Sequence, residues 1–307
     1  MTERFATIDV GTNTVLLLVA EREPGGALAP VLERAEITRL GRGVDATGRL
    51  DPGAIQDTVA VLAQYSRDAA RLGARVVACV ATSAARDATN GAEFFEAART
   101  AAGLSAEVIP GDEEARLVWA SAWRDFGRPG EPLAVLDVGG GSTELSYGDA
   151  PLPRGRASLQ VGAVRLTERH VRGDPPAAEE LGRVRAAARE AVRPFSAMEG
   201  RTPGGRLVGV AGTVTTLAAV VQALPVYDAE KVHGSELSLD AIERLAGQLA
   251  LLTVRERAAL PGMEPKRADV ILAGAIVVAE AMRATGFDRL TVSDRGVRWG
   301  LLYDRVA

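Results

Sequence analysis

The chain has 307 residues, 47% of them hydrophobic, which suffices for two domains with cores of their own. A net charge of −4 speaks against binding nucleic acid through a basic face, although every basic residue except Lys231 and Lys266 is arginine, a side chain suited to gripping phosphate oxygens in pairs. One cysteine, Cys79, excludes an internal disulfide or a multi-cysteine metal site, and two histidines, His170 and His233, exclude a histidine-based metal centre, so any metal must be held by oxygen ligands.

The first predicted element is a strand ending in Ile8-Asp9-Val10. It enters the polar turn Gly11-Thr12-Asn13-Thr14 and leaves as a second strand. Arg75 to Ala81 is a β-branched strand with Cys79 as a small core residue, and it runs into hydroxyls and one arginine, Arg86. From spacing, Arg86 is open between a surface salt bridge and a phosphate contact. Asn90 with Glu93 predicts a capping box for a helix that reaches about Ala102 and is ended by Gly103. Ala106 to Ile109 reads as a short strand. Asp112 then caps a helix in which Ala115, Val118, Trp119, Ala122 and Phe126 share one face. Acids in a first helical turn are favoured by the helix dipole without any functional reason, so Glu114 is open as well.

The Gly/Pro-rich stretch Phe126 to Pro132 reads as a linker, which predicts domains at 1–127 and 128–307. Beyond it, Leu133 to Asp137 and Glu144 to Tyr147 form a second hairpin. Helices follow at about Ala178 to Ser196, Gly212 to Ala223, Asp240 to Leu252 and Lys266 to Thr285, with strands at Arg206 to Val210 and Arg289 to Ser293. The pattern is α/β throughout, with helices covering the sheets. The longest apolar run, Val270 to Ala279, is half of the roughly 20 residues a bilayer span needs, and no basic-then-apolar leader precedes Asp9. A cytoplasmic protein without a membrane or nucleic-acid partner is expected.

Three glycine turns carry the chemistry. Asp137-Val138-Gly139-Gly140-Gly141-Ser142-Thr143-Glu144 repeats the plan of Asp9-Val10-Gly11-Thr12-Asn13-Thr14 about one domain length later. Glycines without Cβ let backbone N–H groups close in on an anion, and they tolerate positive φ. Either turn alone fits a tight hairpin equally well; the duplication favours two hairpins that hold successive phosphates across a cleft between domains. The carboxylates of Asp137 and Glu144 would repel a phosphate unless a divalent cation such as Mg²⁺ bridges them, and Asp9, the counterpart of Asp137, joins them as a candidate metal ligand. The third turn, Gly209-Val210-Ala211-Gly212-Thr213, opens a helix, whose N-terminus suits an anion and adds Gly212 and Thr213 to the candidates.

Together the segments IDVGTNT, ATSAARDATN, GDEEARL, DVGGGSTEL, VAGTVTTLA and KVHG, and the stretch from Arg267 through Arg298, resemble the exopolyphosphatase and guanosine pentaphosphate phosphohydrolase (Ppx/GppA) family along the whole chain. That resemblance implies two ribonuclease-H-like domains of the actin, sugar-kinase and Hsp70 superfamily flanking an interdomain cleft. It implies Glu114 as catalytic base, Arg86 as the arginine contacting phosphate, and Asp137 and Glu144 as acids for metal and catalysis. It further implies Gly139 to Ser142 as the phosphate loop and Asn13 as the polar contact of the first loop. Two departures stand out. The terminal Gly-x-Arg-Glu-Gly of the family reads Gly296-Val297-Arg298-Trp299-Gly300 here, and the chain stops at Ala307 where longer members continue into a helical, HD-type region. Shorter polyphosphates are therefore the expected substrate.

The expected reaction is hydrolysis of the terminal phosphate of inorganic polyphosphate by a water that Glu114 activates. Mg²⁺ assists, with room for a monovalent cation such as K⁺, and the resemblance implies a homodimer. Guanosine pentaphosphate is the alternative substrate. A kinase of the same superfamily, and a sensor that binds polyphosphate or an alarmone without turnover, are the further alternatives.

Overall fold

In the first strand, β1 (Arg4–Val10), Ala6, Ile8 and Val10 face one way and Phe5 and Thr7 the other, the period-two alternation of a sheet buried on both sides. The computed structural model describes residues 3–198 and 205–306. It divides into one unit of the residues up to Leu117 together with those from Val297 on, and a second of Val118–Gly296.

The first unit runs from β1 through β2 (Thr14–Arg22), β3 (Leu28–Ile37), α1 (Val44–Thr47), α2 (Pro52–Arg71), β4 (Arg75–Ala81), α3 (Ser83–Asp87), α4 (Gly91–Ala102) and β5 (Glu107–Val108) into α5 (Gly111–Phe126). Its sheet has the order β3-β2-β1-β4-β5. Strands β1 and β2 pair antiparallel with Ile8 opposite Leu17, while β4 lies parallel to both β1 and β5. Ile8, Val10, Leu17 and Val19 pack with Leu62 of α2 and Phe94 of α4.

The second unit continues with β6 (Leu133–Val138), β7 (Thr143–Gly148), β8 (Gly155–Leu159), α6 (Ala163–His170), α7 (Ala178–Ser196), β9 (Arg206–Val210) and α8 (Ala211–Val221). Then come α9 (Ala229–Val232), β10 (Glu236–Ser238), α10 (Leu239–Ala250), α11 (Val254–Ala258), α12 (Ile271–Thr285) and β11 (Arg289–Val292). The sheet order is β10-β11-β9-β6-β7-β8. Here too an antiparallel hairpin, β6 with β7, adjoins parallel strands, β9 and β11. The duplicated sequence motif is thus the visible part of a duplicated sheet. Helix α12 is buried on nearly every side, which explains its apolar run, and its one acid, Glu280 at 2% exposure, is neutralised by Arg185, Arg189 and Arg283. Among the described residues no helix is long and apolar enough to cross a membrane.

The last helix, α13 (Val297–Val306), belongs with the first unit, and the other change of unit falls inside α5. A boundary at 127/128 with everything after it in one domain is therefore not how the contacts divide. The reason is the second face of the first sheet. Phe5, Leu18 and Ala20 are covered by Trp299 and Leu302, and Thr7 Oγ1 donates to Arg298 O at 2.8 Å. Glu33 accepts from both Arg298 Nη2 at 2.9 Å and Trp299 Nε1 at 3.1 Å. Trp299, the departure from the resembled motif, is thus a core residue of this unit. A Cβ at Gly300 would come within 2.1 Å of Leu117 O, so Gly300→Ala is expected to push α13 off α5 and to lower unfolding free energy by about 1–3 kcal/mol, read from the urea midpoint.

Two local expectations change. Asn90 precedes α4 but makes no cap, because its amide is taken by both backbone groups of Leu50, at 2.7 and 3.2 Å. The helix expected from Lys266 starts only at Ile271; Glu264 caps a separate 3₁₀ turn over Pro265–Arg267.

Candidate active site

Within the first unit the parallel strands β1, β4 and β5 end side by side, and the chain leaves each of them into a predicted site segment. Val10 pairs with Ala81, Thr82 N donates to Val10 O at 3.1 Å, and Ile109 N donates to Ala81 O at 3.1 Å. The Gly11–Asn13 turn, the Thr82–Arg86 segment and the first turn of α5 therefore share the carboxyl edge of one sheet, where open α/β folds bind ligands.

Glu114 is 7% exposed there. Its Oε2 lies 3.3 Å from Arg86 Nη1, which also donates to Ile109 O at 2.9 Å. Burial raises the Glu114 carboxyl above its ordinary value; the charge and hydrogen bond of Arg86 and the hydroxyl of Thr82 oppose that rise without cancelling it. The two open readings of Arg86 and Glu114 converge, since each is the ion-pair partner of the other, with Glu114 buried and Arg86 half-buried. Three further polar atoms, Arg86 Nη2, Thr12 Oγ1 and Asn13 Nδ2, are buried without a hydrogen-bond partner in the protein. Buried donors left unmatched are costly, and a phosphate would satisfy them.

The second unit repeats the plan. The turn after β6 holds Gly139, Gly140, Gly141 and Ser142, and Thr143 Oγ1 donates to Val161 O at 2.6 Å. Gly139 N donates to Ser142 O at 3.0 Å, as Gly11 N does to Thr14 O. Gly11, Gly139, Gly140, Gly141 and Gly212 all lie outside the left-handed region, so freedom of φ is not what they supply. Gly11 and Gly139 supply space: a Cβ at either would sit 3.1 Å from the opposite carbonyl oxygen of its turn.

Asp137 and Glu144 are buried cross-strand partners on β6 and β7, and Ser158 Oγ donates to Glu144 Oε1 at 2.7 Å. Two carboxylates, completed by water and phosphate oxygens, are a donor set that suits Mg²⁺. Among the described residues no group of three or more acids, histidines or cysteines is assembled to hold a metal. Asp9 lies in the first unit, near the end of β1.

At the third turn the strained position is Ala211, with φ of 72°, and Gly212 follows it at the start of α8. The place of a Gly212 Cβ is filled by the guanidinium of Arg267, 2.2–2.5 Å away. Thr213 is buried behind it. Sequence reasoning assigned no role to Arg267 or to Thr82; both stood inside quoted motifs, but only the fold shows what they touch. His233 of KVHG pairs with Asp294 at 2.8 Å, and Arg295 pairs with Asp125 at 2.9 Å, so these motif residues fasten the segment after β11. Three of the arginines surround Glu280.

Comparison with known proteins agrees with this plan. The model of the Ppx/GppA phosphatase family matches residues 18–307. The chain belongs to that family. It is 42% identical to Exopolyphosphatase 2 of Mycobacterium tuberculosis, over 97% of each protein. The crystal structure of a Ppx/GppA member from Aquifex aeolicus superposes with a TM-score of 0.82 at 35% identity, covering 100% of this chain and 98% of that one. An exopolyphosphatase-like protein superposes at 0.90 with 31% identity, over 98% of both chains. This Ppx/GppA member is accordingly a hydrolase of phosphoanhydride bonds, on two α/β sheet units.

Proposed function

We propose that this Ppx/GppA member is an exopolyphosphatase that removes the terminal phosphate of inorganic polyphosphate as orthophosphate. The observation that carries the reading is the buried Glu114–Arg86 pair beside partnerless donors at Thr12, Asn13 and Arg86. A carboxylate whose affinity for protons has been raised is suited to take one from an attacking water. Arg86 offsets charge on the phosphoryl oxygens, and the N–H groups of a glycine loop grip phosphate; transfer of this kind is mostly positioning and electrostatics. Water attacks the terminal phosphorus, Glu114 accepts its proton, the bridging P–O bond breaks, and the electron pair leaves on the shortened chain. Asp137 and Glu144 would hold Mg²⁺, which when bound supplies positive charge against the phosphate oxygens.

The test is orthophosphate release from tripolyphosphate, long-chain polyphosphate and guanosine pentaphosphate, each with and without Mg²⁺. Release from the polyphosphates is expected. Faster release from guanosine pentaphosphate would favour the second reading, for which the α8 turn with Gly212 against Arg267 is the added phosphate or nucleoside contact. Chelation of divalent metal is expected to abolish release from all three, and undiminished activity in chelator would remove Asp137 and Glu144 from a metal role. Homodimer assembly, which rests on the family resemblance, and a cytoplasmic location belong to the same proposal.

A further inference from the structure

We propose that each anion loop is kept receptive by a backing segment that takes up its carbonyl oxygens, and that Gly41, Gly162 and Arg165 are positioning residues for the reaction; this rests on reading the two loops as phosphate-binding. Behind the first loop, the N–H groups of Thr38 and Arg39 donate to Asn13 O at 3.1 and 3.0 Å, and Gly41 N donates to Thr12 O at 2.8 Å. Behind the second, Ala163 N donates to Gly139 O at 3.0 Å, and Val164 N and Arg165 N donate to Gly140 O at 2.9 and 3.1 Å. Arg165 Nε adds a bond of 2.8 Å to Gly141 O. One backing segment is the chain leaving β3; the other is the first turn of α6, whose otherwise unmatched N–H groups are thereby used.

The two segments are unlike in structure and alike in effect. A trans peptide is planar, with its C=O and N–H on opposite sides. Drawing the carbonyls of Thr12, Gly139, Gly140 and Gly141 backward therefore sends the N–H groups of Asn13, Gly140, Gly141 and Ser142 forward, which is how a run of peptides becomes an anion nest. It also removes from the phosphate's side the oxygens that would repel it.

Both segments approach this closely because they lack a side chain at one position. A Cβ at Gly41 would lie 2.3 Å from Thr12 Cγ2 and 3.2 Å from Thr12 O. At Gly162 it would lie 2.5 Å from Gly140 C and O and 2.7 Å from Gly141 N. Gly162 has φ of −163°, extended backbone open to any residue, so space alone requires glycine there.

The experiment compares the parent with Gly41→Ala, Gly162→Ala and Arg165→Met, and with Gly182→Ala of α7, where a Cβ meets nothing within 4 Å. Melting temperature, orthophosphate affinity by calorimetry, and kcat and KM on tripolyphosphate are measured at a temperature where every variant is folded. Gly41→Ala and Gly162→Ala are expected to weaken orthophosphate binding and lower kcat/KM by at least about tenfold, since displacements near 1 Å in a site can cost a hundredfold. Arg165→Met, which frees Gly141 O without inserting an atom, is expected to weaken binding several-fold, and Gly182→Ala to match the parent. A glycine needed only for packing would lower the melting temperature and leave affinity, kcat and KM of the folded protein unchanged; that outcome overturns the proposal. If the alanine variants do not fold, Arg165→Met decides it by the same readout. A parent that binds orthophosphate but releases none from polyphosphate overturns the exopolyphosphatase reading while the loop comparison still stands, and a parent that binds no orthophosphate overturns both.

Discussion

Replacing Glu114 with glutamine is expected to leave a folded protein that still binds polyphosphate but releases orthophosphate at least about a hundredfold more slowly, the usual contribution of a positioned base being about 10² to 10⁴. Glutamine keeps the size of the side chain and an oxygen for Arg86 Nη1 and Thr82, so substrate binding should change little and the loss should fall on kcat. The substitution also has a stability signature. Because the folded-state affinity of Glu114 for protons lies above the ordinary carboxylate value of 4.5, the stability tied to its protonated form is fully present below that value and is lost as pH rises through the raised one. Above that raised value the parent carries a buried charge that the glutamine variant lacks. The variant should melt higher than the parent at pH above the raised value, and the difference should vanish in acid. Normal turnover by Glu114→Gln would remove this residue from the role of base, whatever the melting curves show.

Replacing Arg86 with methionine is expected to lower kcat/KM by about 10² to 10³, the range seen when one donor to a developing charge is removed. The change acts twice. It takes away a cation that would meet the phosphoryl oxygens through the otherwise partnerless Nη2. It also removes the charge that opposes desolvation at Glu114, so the carboxyl rises further. The acid limb of the pH–rate profile, which follows ionisation of the base, should already lie above the ordinary carboxylate range in the parent and should move to still higher pH in Arg86→Met. Lysine at the same position should restore the limb more than the rate, because it returns a charge but not the planar fork that reaches Ile109 O and Glu114 together. An acid limb that stays in place in Arg86→Met would show that the pair is not coupled in solution.

Hairpins, glycine turns and the alternation of strands and helices are local matters of period and turn chemistry, and they were legible in the chain: β4, β6, β7 and β9 fall where their β-branched and apolar runs place them. The duplicated Asp-Val-Gly turn pointed correctly to a duplicated sheet, because the motif spans a strand, its turn and its antiparallel partner. What the chain could not announce were the choices made between distant segments. Helix α13 lies nearly 300 positions from the Phe5 and Thr7 it covers, and the face it fills exists only once β1 to β4 have assembled. Asn90 has the residue type of a cap, but a buried Leu50 backbone far along the chain claims its amide.

For the site the division is the same. By itself the sequence determined which residue types could meet a phosphate and that two turns of one plan would carry them, since those properties belong to the residues and their neighbours. Only tertiary structure decided that Glu114 and Arg86 become one buried pair, that Trp299 fills a core rather than a site, and that Gly41 and Gly162 stand behind the loops. Burial and close approach are set by what the rest of the chain packs against a residue, and no local pattern records that.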